Sequence, residues 1–112
     1  MALRRVASDW LPVILWAALI FAVSSIPSLG TGLGVWDLVL RKLAHVTEYA
    51  VLGFLLARVV AVAPAFLIGV LYAVSDELHQ TYVSGRHGAP RDVAIDAAGV
   101  AIGLLVHRRV TR

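Results

Sequence analysis

Three short segments carry ionisable residues at helical spacing. The first reads Arg41-Lys42-Leu43-Ala44-His45-Val46-Thr47-Glu48-Tyr49, the second Ser75-Asp76-Glu77-Leu78-His79-Gln80, and the third Arg91-Asp92 with Asp96 one turn on. Side chains three or four positions apart share a helix face, so Lys42, His45 and Tyr49 line up with Glu48 beside them, as do Asp76, His79 and Gln80. These residue types admit three chemistries. His45, Glu48, Asp76, Glu77 and His79 offer nitrogen and oxygen donors for a divalent metal. His45, Glu48, Asp76 and His79 are the candidate ligands, although their spacing matches no metal signature such as His-Glu-x-x-His. Arg41, Lys42, Arg86 and Arg91 can hold a phosphate or carboxylate, with arginine giving bidentate contacts. The candidate ligand-binding set is Lys42, His45, Tyr49, Gln80, Arg86, Arg91, Asp92 and Asp96. Acid–base work falls to Glu48, Asp76, Glu77 or His79, the candidate catalytic residues. No nucleophile elbow or phosphate loop selects a reaction, so catalysis stays open. A plainer reading makes the whole set a network of ion pairs and hydrogen bonds that only fixes helix packing.

The elements that must position these groups are strongly apolar. Hydrophobic residues make up 60% of the 112 residues and the mean hydropathy is +0.84, against roughly 45–50% apolar usage in soluble domains. The fold class read from this pattern is all-α: a polytopic membrane protein built as a four-helix transmembrane bundle in one domain. The expected spans are 10–26, 43–62, 65–83 and 92–107. The stretch from Leu43 to Val74 is too long for one crossing of a ~30 Å hydrocarbon core and must fold back, with the hinge between Arg58 and Pro64. A loop with Gly85, Gly88 and Pro90 separates the last two spans. Ala22-Val23-Ser24 is a passable signal-peptide cleavage site. Trp10, Pro12 and Trp16 nevertheless read better as a retained span with interfacial aromatics. Trp36 and Asp37 form an interfacial segment with Leu38 to Leu40 in the first outer loop. The Gly99/Gly103 pair, with Gly53 and Gly69, permits close helix approach.

The net charge of +3 does not point to nucleic acid, because the basic residues sit at the ends of apolar runs and form no stripe. Arg4, Arg5, Arg58, Arg108, Arg109 and Arg112 fall on one side of an even number of spans, which places both termini in the cytoplasm. All three polar clusters then fall at one depth on the outer side, with Glu48 and Asp96 roughly 6–9 Å inside their helix starts. Cysteine is absent, which removes disulfides, thiolate nucleophiles and Cys-ligated zinc.

The chain resembles the VanZ-like membrane proteins, named after an accessory factor in teicoplanin resistance. The resemblance rests on Ser24-Ser25-Ile26-Pro27, Lys42-Leu43-Ala44-His45 with Glu48-Tyr49 and Gly53, Ser75 to Gln80, Gly85-Arg86, and Asp92 with Gly99 and Gly103. It implies a multi-span protein of the bacterial cytoplasmic membrane with Lys42, His45, Glu48, Asp76, Glu77, His79, Gln80, Arg86 and Asp92 as signature positions. Asp96 stands where the family usually carries asparagine, and Ser84 where many members have proline. The resemblance implies no reaction, and the antibiotic phenotype belongs to one branch.

Three functions compete. One is a cell-envelope factor that binds or modifies a membrane lipid or lipid-linked anionic ligand at the outer face. Another is a non-catalytic helper that packs on a larger envelope enzyme through its glycine-rich fourth span. The third is an ion- or proton-coupled carrier, which four short spans would build as a homo-oligomer.

Overall fold

The computed structural model describes residues 2–25, 35–83 and 90–111. Among these the chain is all-helical, with α1 (Ala2–Ser24), α2 (Val35–Ala57), α3 (Val62–Gln80) and α4 (Pro90–Val110) and no strand. The helix α2 begins at Val35, well before Leu43, and so takes in Trp36 to Leu40. The sequence pattern, by contrast, assigns Trp36 to Leu40 to an interfacial segment of the first outer loop. The last helix breaker is Gly34, and nothing after it interrupts propagation.

The hairpin between α2 and α3 follows from local chemistry. The amides of Arg58 and Val59 bond to the carbonyls of Leu55 and Leu56 at 3.2 and 3.0 Å, tightening the end of α2. Ala61 is extended, and its carbonyl accepts the Ala65 amide at 2.9 Å. Pro64 lies in the first turn of α3, where a missing N–H costs nothing. At the other end of the molecule α4 starts on a proline, carries Asp92 in its first turn and ends in His107, Arg108 and Arg109. That charge order complements the helix dipole.

Two helices are long and apolar enough to cross a membrane on their own, α1 over Val6–Ser24 and α3 over Val62–Gln80. The sequences of α2 and α4 carry more charge, and hydropathy alone does not single them out.

The most extensive interface joins α2 to α4, and α3 packs on both. Small residues set this geometry. A Cβ on Gly53 would collide with the backbone of Val100, and one on Gly103 with the backbone of Ala50 and Phe54. A Cβ on Gly99 would lie 2.7 Å from the Val46 carbonyl oxygen. The two backbones are therefore in direct contact, which is how helices associate where lipid removes any hydrophobic gain. Val100 sits at the junction, fully buried, with its backbone against Gly53 of α2 and its methyls against Gly69 of α3. Around it Tyr49, Leu52, Leu56, Ala65, Ala73 and Leu104 complete the core, to which α1 adds Val13 and Ile20.

Candidate functional site

The α2–α4 contact places three successive rungs of α2 against acidic residues. Lys42 pairs with Asp92 at the rim, where both side chains keep some exposure. About one turn deeper, His45 Nδ1 lies 3.3 Å from Asp96 Oδ1. One further turn on, the Tyr49 hydroxyl donates to Asp76 Oδ2 of α3 at 3.0 Å. Burial rises along this ladder, until Tyr49 and Asp96 are both 0% exposed. Glu77 and Gln80 of α3 are buried beside Asp76.

At the centre of the ladder His45, Asp76 and Asp96 each offer a donor atom, all within 4.8 Å of one another. Asp76 Oδ1 and Asp96 Oδ2 are buried with no hydrogen-bond partner among the described residues, as are Gln80 Nε2 and His79 Nδ1. A buried polar atom left unpaired costs about 1–3 kcal/mol, so such groups mark a site or a strain.

The remaining candidates go elsewhere. His79 leaves the cluster and turns to α1. There it stacks on Phe21, with ring centres 4.3 Å apart, and its Nε2 lies 3.4 Å from Ser25 Oγ. Glu48 is half-buried, and its backbone carbonyl accepts the Trp16 indole N–H at 2.8 Å. Neither is among the three donors that lie within 4.8 Å of one another. Because α2 starts early, Glu48 lies about 20 Å along its helix rather than 6–9 Å, while Asp96 remains in the second turn of α4. Arg41 and Arg91 are exposed. Arg86 lies outside the described residues, as do the other loop positions Gly85, His87 and Gly88.

The docking of α1 was missed in the sequence. Trp16 and Tyr72 donate to backbone carbonyls of Glu48 and Ala17. The available signal was a pair of aromatics with polar tips inside apolar runs, groups that find a partner when buried. Similarly, His107 is half-buried and meets Phe54 edge-on at 5.1 Å.

Among the described residues the molecule is thus all-helical, with two helices that suit a membrane and a His–Asp–Tyr cluster gathered from three helices at one end. The VanZ/LLP1 family model matches residues 6–111, and the chain belongs to that family. Family and apolar helices together point to a membrane protein. No curated protein and no solved structure matches the chain.

Proposed function

We propose that the chain is a four-span envelope protein of the bacterial cytoplasmic membrane that binds an anionic amphiphile, or acts on it, at its polar end. Both termini are cytoplasmic in this reading, and the polar end faces outward. The observation that carries it is the ladder from Lys42–Asp92 through His45–Asp96 to Tyr49–Asp76, set in an apolar bundle with Arg41 and Arg91 exposed near its mouth. Cations at a water–lipid boundary attract a phosphate or carboxylate headgroup, while the exposed apolar helix faces accommodate its tail.

Crossing by α2 and α4 is supported by where their polar groups go. Their ionisable residues at 42, 45, 92 and 96 face one another, as intramembrane charges must. Leu40 and Leu43 of α2 and Ile102, Leu105 and Val106 of α4 are exposed instead. The hydroxyls on exposed faces, Thr47 and Ser75, donate to carbonyls of their own helices at 2.8 and 2.7 Å, as suits a surface with no water to serve them.

The helper alternative loses its expected docking face, since Gly99 and Gly103 already meet α2. Extraction in mild detergent followed by lipid mass spectrometry tests the proposal. An anionic lipid or carrier lipid should be enriched over bulk membrane composition, and Lys42→Gln with Arg91→Gln should lower that enrichment. Retention of lipid in bulk proportions would refute it. Teicoplanin susceptibility of a deletion strain, with and without complementation, is the phenotype that the family name brings to this test.

A further inference from the structure

We infer that His45, Asp76 and Asp96 form a binding site for a divalent cation, one ligand from each of α2, α4 and α3. The donor atoms come from three helices, not from one sequence motif, and lie within 4.8 Å of one another. His45 Nδ1 and Asp96 Oδ1 are 3.3 Å apart, yet they are not aligned as a hydrogen bond. Two ligands on an ion with bonds of about 2.0–2.1 Å and a tetrahedral angle stand about 3.3 Å from each other. With the third donor within 4.8 Å of both, shifts on the order of an ångström bring all three into one shell.

Burial and hydrogen bonding supply a second, separate argument. Asp96 is fully buried, and its Oδ2 has no partner among the described residues. Asp76 is almost as buried: Tyr49 holds its Oδ2, leaving Oδ1 equally unpartnered. Lys42, one turn away on α2, is occupied by Asp92. Two carboxylates in an apolar bundle with one imidazole thus keep lone pairs unused, and a dication satisfies both the charge and the lone pairs. Tyr49 acts as a positioning residue, fixing the carboxylate as outer-shell partners do at metal sites. A donor set of one nitrogen and two carboxylates, without sulfur, suits zinc or manganese.

Three protein ligands leave a coordination position open for water or an oxyanion. The inference stands apart from the headgroup reading, and only the role of the open position rests on it: a bound dication would offset the carboxylates and add a phosphate anchor to that of Arg41 and Arg91.

The test uses the full chain in mild detergent, stripped with a chelator and titrated with Zn2+ or Mn2+ alone. Calorimetry and elemental analysis should find about one ion per chain. Asp76→Asn and Asp96→Asn should each weaken binding by tenfold or more, and Tyr49→Phe by about 10–100-fold. Thr47→Val, on an exposed face, should bind as the wild type does. The ion should raise the melting temperature of the wild type and leave that of Asp96→Asn unmoved. No saturable binding by the folded wild type overturns the site, whatever the variants do, and so does unchanged affinity in both aspartate variants. A protein that retains anionic lipid without binding an ion refutes the metal site alone. One that binds the ion but retains no anionic lipid refutes the headgroup reading alone.

Discussion

Replacing Gly103 by alanine tests the contact that brings the site together. The new Cβ would penetrate the carbonyl oxygen of Ala50 and lie 2.8 Å from both the Ala50 carbonyl carbon and the Phe54 nitrogen. Every one of these atoms is backbone, so no rotamer change relieves the clash and α4 must move away from α2. At Gly69 the added Cβ meets side-chain atoms of Val100, the two methyls at 2.8 Å and the Cβ at 3.4 Å, so the clash is with a side chain and is the milder one. Overpacking costs about 1–3 kcal/mol, while alanine in place of glycine favours a helix by about 1 kcal/mol. At Gly69 the smaller overpacking cost is partly offset by that gain. At Gly103 the overpacking term dominates, and a net loss approaching about 2 kcal/mol is expected. Gly53→Ala should resemble Gly103→Ala, because its Cβ also meets backbone, that of Val100. Thermal unfolding in detergent, followed by circular dichroism and elution volume, reads the order directly. A Gly103→Ala protein as stable as the wild type, or a Gly69→Ala protein that loses more, would refute the backbone-contact account.

Other perturbations probe separate contacts. Gly99→Ala, whose Cβ would press on the Val46 carbonyl one turn from Asp96, should weaken ion binding as well as stability; a stability loss alone would uncouple the packing from the site. Trp16→Phe deletes the indole bond to the Glu48 carbonyl and should cost about 1 kcal/mol, seen as faster proteolysis of α1; an unchanged digestion rate would contradict that anchor. A double-mutant cycle on Lys42→Met and Asp92→Asn should give a coupling of about 1 kcal/mol or less, because the rim pair is partly exposed. A coupling of several kcal/mol would place it in a far drier setting. Reporter fusions after Arg112 and between α3 and α4 at residues 85–89 should report cytoplasmic and external locations respectively, and an external C-terminus would overturn the proposed orientation.

Much of the architecture was legible in residue order. Apolar runs flanked by breakers marked the helices, Pro64 marked the start of α3, and the glycines of α4 marked a close approach. Spacing alone put Lys42, His45 and Tyr49 on one face. The start of α2 was misread because Trp36 to Leu40 suits an interface as well as a helix, and local composition does not separate the two.

What the sequence left open was which acidic partner each of those residues meets. Periodicity assigns a side chain to a face of its own helix, but says nothing of how that helix is rotated and shifted against its neighbours. Here those two quantities are set by Gly53, Gly99 and Gly103, where backbone touches backbone. That contact aligns Asp92 with Lys42 and Asp96 with His45, while the packing of α3 against α1 sets His79 on Phe21, away from the cluster. Asp96, noticed in the sequence as a departure from the usual asparagine, therefore becomes a central member of the site. Glu48 instead serves α1 through a backbone carbonyl, an acceptor that every residue has and no sequence pattern marks.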